Sequence, residues 1–342
     1  MGEVTTIGLD IAKSVFQVHG VDADGQVVFR QRLTRGRVVA FFRKLPACRV
    51  GIEACATAHH WARELGSLGH DVRLMPPAYV KPYVKRQKND AADAEAICEA
   101  VGRPTMRFVP VKTVEQQSVM MLHRVRLMLT RQRTQVGNAI RAHLAELGIV
   151  APVGRKGLAS LLAIIADETD ARLPATMRGC LAMLAEQLQL LNAQVLENDR
   201  AIRDTVRASE AARRLMAIPG VGPLLASALV ASIPDPETFK SGRNLAAWIG
   251  LVPKQNSSGG KERLGGISKQ GNRYLRQLLV TGALAVIRQA QRYGSKRPWL
   301  IALIGRRTTR VAAVALANKT ARIAWAIMTS GEPYREPKPA AA

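Results

Sequence analysis

The first third of the chain alternates between short apolar stretches and amphipathic ones. Residues Thr5–Asp10, Val15–Val18 and Gln26–Phe29 are rich in β-branched, apolar and aromatic side chains, and a turn at Asp22–Gly25 separates the last two. They predict a meander of three strands. The next predicted elements, alternately helix and strand, are Val38–Leu45, Arg49–Glu53, Ala58–Leu68 and Asp71–Met75. Strands that alternate with helices after a meander predict an α/β sheet.

The chain then breaks at Met75-Pro76-Pro77 and resumes as a helix over Ala91–Val101. Asn89 or Asp90 can cap that helix. We expect the α/β domain to close near Val111 and assign it residues 1–112.

The middle of the chain has helical periodicity only. Glu115–Leu147 repeats apolar positions at helical spacing, and a second long helix carries apolar residues three and four apart. That seam consists of Leu181, Leu184, Leu188, Leu191, Val195 and Ile202, with one polar break at Asn198. We interpret residues 113–208 as a helical region with a coiled coil, in which Asn198 would fix the register. An intramolecular helical hairpin is the alternative, because the seam covers only about three heptads.

The third region, residues 209–330, begins with a helix, a Gly-x-Gly turn and a second helix over Leu224–Ile233. Backbone N–H groups at Gly220 and Gly222 could bind a phosphate at the start of that helix, although a plain Gly/Pro turn has the same sequence. We expect a mainly helical domain here and a disordered tail over residues 331–342. The predicted fold class is therefore α/β plus all-α.

The charge of the chain indicates the kind of partner that it binds. The chain has 342 residues, with 50 Lys and Arg against 26 Asp and Glu, a net charge of +24. Such a balance indicates a polyanionic partner, DNA or RNA. Between Lys254 and Arg310 the only acid is Glu262, beside thirteen basic residues. Those residues are Lys254, Lys261, Arg263, Lys269, Arg273, Arg276, Arg288, Arg292, Lys296, Arg297, Arg306, Arg307 and Arg310.

A second basic run follows the first long helix. It consists of Arg124, Arg126, Arg131, Arg133 and Arg141. Aromatic residues make up only 4% of the chain, so we expect contacts with the phosphate backbone rather than stacking on bases. The candidate nucleic-acid contacts are Lys13, Arg124, Arg131, Gly220, Gly222, Lys261, Arg263, Lys269, Asn272, Arg273 and Arg276. For Lys13 a solvated loop lysine is the alternative.

Other classes of protein are disfavoured. The four cysteines form no Cys-x-x-Cys pair and have no metal-like spacing with the histidines, which is typical of reduced thiols in a cytosolic protein. The longest apolar runs, Gly157–Ala166 and Leu279–Ile287, are shorter than the roughly 18 residues of a membrane span. We expect a cytoplasmic protein and no membrane partner.

Four carboxylates are candidates for a catalytic metal site. Asp10 and Glu53 end predicted strands, and Asp90 and Asp93 lie one turn apart on a helix. Acids that converge at strand ends need cations, and two Mg²⁺ ions, which Mn²⁺ could replace, are the usual solution for phosphodiester chemistry. Each acid alone is more often a turn or cap residue.

These residues also carry a family resemblance. Ile7-Gly8-Leu9-Asp10, Gly51-Ile52-Glu53 and Lys88-Asn89-Asp90-Ala91-Ala92-Asp93 resemble the DEDD motif of insertion-sequence transposases of the IS-one-ten (Piv/MooV-like) family. Ala54-Cys55-Ala56-Thr57-Ala58-His59-His60-Trp61 is similar to its IS-eleven-eleven subgroup. The second half resembles the family's transposase domain at Ile218–Pro223, Gly250–Pro253, Ser257–Lys261 and Gly266–Asn272.

The resemblance implies a RuvC-like domain with a ribonuclease-H fold, joined to a domain whose serine attacks DNA and forms a covalent phosphoserine. The family pattern Pro-x-x-x-x-Ser-Gly assigns that serine to Ser258, with Ser257 as the adjacent alternative. It further implies double-stranded DNA as substrate and a guide RNA, the bridge RNA. It also implies a homo-oligomer, a dimer or tetramer formed through the helices, in which the DEDD domain of one subunit serves the serine of another.

Three functions compete at this point. The first is an RNA-guided DNA recombinase that uses Asp10, Glu53, Asp90, Asp93 and Ser258. The second is a RuvC-like nuclease or junction resolvase that hydrolyses DNA with water and two metal ions. The third is a non-catalytic scaffold that binds nucleic acid through the basic C-terminal region. A covalent protein–DNA adduct distinguishes the first from the others.

Overall fold

The computed structural model describes residues 3–85, 89–294 and 297–336, and the chain forms two compact units, Met1–Val114 and Glu115–Ala342. The expected boundary after residue 112 lies close to the boundary between these units. The regions 113–208 and 209–330, which the sequence suggests as separate domains, belong to one unit.

The first unit is a mixed α/β domain. Its strands are β1 (Thr6–Ile11), β2 (Val15–Val21), β3 (Val27–Thr34), β4 (Arg49–Glu53) and β5 (Asp71–Met75). Its helices are α1 (Val38–Phe42), α2 (Ala58–Ser67), α3 (Pro77–Val80) and α4 (Asp90–Val101). The sheet order is β3-β2-β1-β4-β5, with antiparallel pairing from β1 to β3 and parallel pairing of β1, β4 and β5. The predicted meander followed by alternating helices and strands is confirmed.

Strand periodicity divides the side chains between two faces of this sheet. Ile7 and Leu9 of β1 are fully buried, and they belong to the same apolar core as Phe42 of α1 and Leu65 of α2. Because successive side chains on a strand point to opposite faces, Gly8 and Asp10 share the other face. Helix α4 covers that face.

Two glycines allow α4 to lie directly on the sheet. Gly8 of β1 and Gly51 of β4 are register partners. A Cβ atom on Gly8 would lie 2.0 Å from the carbonyl oxygen of Ala94, and one on Gly51 would lie 2.8 Å from Cβ of Val101. The missing side chains therefore set the distance between helix and sheet.

The substitution Gly8→Ala tests this packing. The new methyl group would meet a helix backbone that cannot move aside cheaply, so we expect a loss of about 2 kcal/mol or more in the free energy of unfolding. The control is Gly66→Ala in α2, where a Cβ would meet nothing within 4 Å, and it should change stability by less than about 1 kcal/mol. Denaturant unfolding measures both variants, and equal losses would contradict the close approach.

The second unit is almost entirely helical. Its helices are α5 (Val114–Ala145, starting at the last residue of the first unit), α6 (Arg155–Ala166), α7 (Ala175–Ala208), α8 (Glu210–Met216), α9 (Pro223–Ser232), α10 (Gly242–Ile249), α11 (Arg273–Tyr293), α12 (Pro298–Arg306) and α13 (Thr309–Ser330). Its strands are β6 (Pro253–Gln255) and β7 (Leu264–Ile267), an antiparallel pair. Helices α8 and α9 flank the predicted Gly-x-Gly turn.

The apolar seam of α7 is buried within the chain. Leu181, Leu188, Leu191 and Val195 join a core that includes Ile140 of α5 and Leu161 of α6. The intramolecular alternative therefore accounts for the seam, and a coiled coil between subunits is not needed to bury it. The polar break remains visible, because Oδ1 of Asn198 is buried and has no hydrogen-bond partner among the described residues.

Helix α13 is the centre of the C-terminal core. Within the described residues, it is the one helix that length and composition would allow to cross a membrane, with a mean hydropathy of 1.2 over its most apolar window. Its Ala313, Ala317 and Ala321 are fully buried, and it packs against α10 and α11. The expectation of no such segment rested on uninterrupted apolar runs, which Lys319 and Arg322 break here. Its burial is that of a core helix.

Part of the expected disordered tail packs on this core. Tyr334 is partly buried against it, and the carboxylate of Glu336 accepts a hydrogen bond of 3.0 Å from Nε of Arg297. Residues 337–342 lie outside the described part of the chain.

Candidate catalytic and nucleic-acid-binding sites

Two of the four acids lie at matching ends of neighbouring strands. β1 and β4 are parallel, with Leu9 opposite Ile52, so Asp10 and Glu53 come next in the register. Glu53 is the last residue of β4, and both side chains are partly buried. By strand alternation they lie on the face that α4 covers.

The other two acids open helix α4. Asp90 is its first residue and Asp93 lies in its first turn. Asn89 caps the helix, because its Oδ1 accepts a hydrogen bond of 2.7 Å from the backbone N–H of Ala92. Acids in a first turn also suit the positive end of the helix dipole. Lys88, which precedes the cap in the motif, lies outside the described residues.

The four acids share one electrostatic environment. Burial and, in decreasing order of importance, the charges of Asp93, Asp90 and Glu53 together raise the pKa of Asp10 to about 6. Burial, followed by the charge of Asp93, also raises the pKa of Glu53. Among the residues that the structure describes, all the side-chain charges that act on Asp10 are carboxylates, and no cationic side chain is among them.

This environment suits a hard cation, because mutual repulsion among carboxylates is what a divalent ion relieves. The ligand geometry is not preformed. Within residues 3–85, 89–294 and 297–336, no three His, Cys, Asp or Glu side chains lie close enough together to hold a metal ion. The donor types and charges therefore fit a metal, and binding requires the carboxylates to draw closer than they lie here.

Backbone strain lies beside this site. Thr57, four residues after Glu53, has a φ of +70°, which is rare for a β-branched residue. No sequence pattern predicts this conformation.

His59 accepts a hydrogen bond of 3.2 Å from the backbone N–H of Lys112, in keeping with a packing role rather than a metal ligand. Lys13 is exposed, and its carbonyl accepts a hydrogen bond from Arg35.

The candidate serine lies at the tip of the β6–β7 hairpin. The N–H of Lys261 donates to the carbonyl of Ser258 at 3.1 Å, and Gly259 and Gly260 have φ values of +55° and +74°. Two successive positive φ values are typical of a type I′ turn, and glycine adopts them without strain. The Ser-Gly-Gly-Lys motif is therefore a tight turn that presents Ser258 to solvent.

The hairpin distinguishes the two adjacent serines. Oγ of Ser257 accepts a hydrogen bond of 3.2 Å from the backbone N–H of Arg263. The exposed hydroxyl of Ser258 makes no hydrogen bond to any residue that the structure describes. Ser257 thus has a structural role, and Ser258 carries the available hydroxyl.

Exposed cations surround this turn. Lys261 and Arg263 lie on the hairpin, while Lys269 and Arg273 follow it, and all four are exposed. Such a surface attracts phosphate. Lys296, part of the same basic stretch in sequence, lies outside the described residues.

Two predicted nucleic-acid contacts have partners inside the protein. Nη1 of Arg276 donates to the carbonyl oxygens of Ile249 and Gln270, at 2.7 and 3.0 Å. Oδ1 of Asn272 accepts from the N–H of Leu275 at 3.0 Å and caps α11. Both side chains therefore organise the start of α11.

The glycine turn has one open position. Gly220 has a φ of +87°, and a Cβ there would lie 2.9 Å from the carbonyl oxygen of Gly282, so it packs against α11. Gly222 caps α9, is exposed, and would place a Cβ in open space. Of the two, Gly222 remains accessible to a phosphate.

The basic run on α5 also divides. Arg126 pairs with Asp199 of α7, and the guanidinium of Arg141 donates to the carbonyls of Ala151 and Gly154, at 3.1 and 2.9 Å. Arg124 and Arg131 are exposed. Arg124 and Arg131, the two candidate contacts, are therefore accessible to a ligand, whereas Arg126 and Arg141 stabilise the fold.

One polar network was not predicted. His123 is 1% exposed and lies 3.0 Å from the hydroxyl of Tyr274 and 3.2 Å from Oγ of Ser227, which in turn lies 3.2 Å from the hydroxyl of Thr205. Burial, and then the charge of Arg126, lowers the pKa of His123 to about 4, so the ring is neutral. The network joins α5, α11, α9 and α7. Its members are too far apart in sequence for any spacing to reveal.

Replacement of Asp10 by asparagine tests the acid site through stability. Because the pKa of Asp10 is raised from 3.8 to about 6 by folding, its stabilising contribution is present below about pH 4 and lost as pH rises through about 6. We expect metal-free Asp10→Asn to melt at a higher temperature than the wild type at pH 8, with a smaller difference at pH 5. Addition of Mg²⁺ should raise the melting temperature of the wild type and have little effect on the variant. Identical melting curves at both pH values would contradict the shared site.

Two family models match the chain, one in each half. Residues 7–149 match a family model for DEDD transposases of the IS110 type, described as "Transposase", and residues 212–298 match the model "Transposase IS116/IS110/IS902 family". A probable family 20 transposase of Pseudomonas aeruginosa is 51% identical over 97% of this chain and 99% of its own length.

Two further relatives are named as transposases of insertion sequences. The transposase for insertion sequence element IS1111A of Coxiella burnetii is 42% identical over 98% of this chain and 92% of its own length. The transposase for insertion sequence element IS1328 of Yersinia enterocolitica is 40% identical over 97% of this chain and 98% of its own length. The chain therefore belongs to the IS116/IS110/IS902 family of transposases.

Proposed function

We propose that this transposase cuts and rejoins DNA through a covalent bond between Ser258 and a DNA phosphate. The observation that supports it most is the exposed turn, in which the hydroxyl of Ser258 is available while that of Ser257 is occupied. Membership of the family already implies DNA cleavage and rejoining. The serine intermediate is the further step.

The proposed reaction transfers a phosphate from one hydroxyl oxygen to another in two steps and consumes no water. Oγ of Ser258 attacks a backbone phosphorus, the bond from phosphorus to a sugar oxygen breaks, and that oxygen leaves as a hydroxyl with the serine proton. A sugar hydroxyl of another strand then attacks the phosphoserine and restores the serine. Lys261 and Arg263 would stabilise the negative charge on the phosphoryl oxygens in both steps.

We further propose that Asp10, Glu53, Asp90 and Asp93 hold divalent metal, two Mg²⁺ ions that Mn²⁺ could replace. DEDD transposases typically use divalent metals, and the raised pKa values of Asp10 and Glu53 indicate carboxylates in need of a cation. Bound metal would polarise the phosphate and favour the ionised oxygen of the attacking or leaving group. The strand order, with α4 on the sheet, supports a RuvC-like ribonuclease-H fold for this unit.

Double-stranded DNA and a bridge RNA are the proposed partners. The net charge of +24, the exposed arginines of α5 and the basic hairpin support a polyanionic partner, and the bridge RNA is proposed from the family resemblance. We propose that the protein acts in the bacterial cytoplasm as a dimer or tetramer. The seam of α7 is already buried, so α5 offers the better helical surface, with Met121 and Met128 one heptad apart and 64% and 51% exposed.

The test uses end-labelled junction DNA, Mg²⁺ and RNA transcribed from the flank of the element, resolved on a denaturing gel. Wild-type protein should give a slowly migrating, protease-sensitive band. Ser258→Ala should abolish it, with at least a 100-fold loss, because no other hydroxyl replaces the nucleophile. Ser257→Ala is the matched control and should retain the adduct. Cleavage without an adduct, equal in Ser258→Ala, would instead establish a hydrolytic nuclease.

The role of α5 is tested by the salt dependence of nucleic-acid binding. Loss of one phosphate contact in Arg131→Ala should lower the slope of log K against log salt by about 1. Arg141 bonds to backbone carbonyls, so Arg141→Ala should lower thermal stability and leave the slope unchanged. Filter binding between about 50 and 200 mM salt measures both. An unchanged slope in Arg131→Ala would remove that residue from the interface.

A further inference from the structure

The hairpin that carries Ser258 is an arm, and within the described residues of the second unit it contacts the core only at its base. Every residue from Pro253 to Gly266 is exposed, and the flanking Val252 and Ile267 are the first to contact the core. Five residues of strand, at about 3.3 Å each, place the serine up to roughly 17 Å from that base. A tilt of about 5° at the base would therefore move the tip by roughly 1.5 Å, which is enough to misalign a nucleophile.

Two loops cross at the base and touch through their backbones. Gly250 has a φ of +82°, and a Cβ there would lie 2.1 Å from the carbonyl oxygen of Gln270. A Cβ on Gly271 would lie 1.8 Å from the carbonyl oxygen of Trp248. The N–H groups of Ser268 and Lys269 donate across the crossing to the carbonyls of Val252 and Gly250, at 2.8 and 3.2 Å.

Side chains from two core helices fix this crossing. The guanidinium of Arg276, from the first turn of α11, donates to Ile249, where α10 ends and one loop begins, and to Gln270 in the other loop. Nδ2 of Asn318, in the middle of α13, donates to the carbonyl of Leu251 at 3.1 Å. Both helices contribute fully buried residues to the C-terminal core. The two side chains therefore hold the loops in a fixed position relative to that core.

We propose that Arg276 and Asn318 are positioning residues that aim the arm and thereby place Ser258 for attack. The inference rests on the proposed function of Ser258. It assigns Arg276 a role other than contact with nucleic acid, because the same Nη1 atom is already shared between two carbonyls. Arginine suits the position, since the two hydrogens on one terminal nitrogen of its planar guanidinium can each donate to a different acceptor.

The experiment separates the rate of adduct formation from affinity. With saturating junction DNA, RNA and Mg²⁺, Arg276→Ala and Asn318→Ala should lower the first-order rate at least tenfold, with apparent Kd within about threefold of the wild type. Arg276→Lys should recover part of the rate, because an ammonium group can still donate to both carbonyls. The comparison variant is Arg273→Ala, an exposed neighbour on the same helix turn, which should weaken binding more than the rate.

Folding and the proposed function are checked independently. Hydrogen exchange of the Ser268 and Lys269 amides should be faster in Arg276→Ala, while exchange in the middle of α13 is unchanged. If wild-type protein forms no adduct, the function of Ser258 fails, and amide exchange still judges the role of Arg276. Weaker binding with an unchanged rate at saturation, or unchanged amide exchange, would overturn the positioning role. An unchanged rate in Asn318→Ala would remove Asn318 from it.

Discussion

The close approach of α4 to the sheet is the constraint on which the acid site depends. Gly8 and Gly51 are paired in the register, and neither has a side chain to hold the helix away. The N-terminal turn of α4 therefore lies near the ends of β1 and β4, where Asp10 and Glu53 are located. The cost is electrostatic, because burial and three neighbouring carboxylates raise the pKa of Asp10. We propose that a divalent cation relieves that cost when it binds these carboxylates.

The second unit positions its candidate nucleophile in a different way. A rigid helical core, with α13 at its centre, supports an exposed hairpin that carries Ser258 and most of the nearby positive charge. The arm has few contacts of its own, so its direction depends on the crossing at Gly250 and Gly271. Several basic residues that look equivalent in sequence serve this scaffold instead of a ligand. Arg126, Arg141 and Arg276 bond inside the protein, whereas Arg124, Arg131 and Lys261 are exposed.

Local patterns predicted much of this arrangement. Strand alternation and turn residues were enough for the sheet, and the family motifs named the acids and the serine. The burial of the α7 seam was not decided by its spacing, because a heptad pattern is the same whether its partner is α5 or another subunit. The network at His123 was missed because its partners Ser227 and Tyr274 are more than a hundred residues away. The role of Arg276 was also missed. Its partners are backbone carbonyls, which every residue has, so no residue type in the sequence indicates them.

The proposed reaction depends on a covalent bond between a DNA phosphate and Ser258. Mass spectrometry of the adduct can locate that bond: a nicked substrate traps the intermediate, nuclease digestion trims the DNA, and proteolysis isolates the hairpin peptide. We expect a nucleotide on Ser258, with Ser257 unmodified in the same peptide. A nucleotide on any other residue, or cut DNA with no modified peptide, would contradict it.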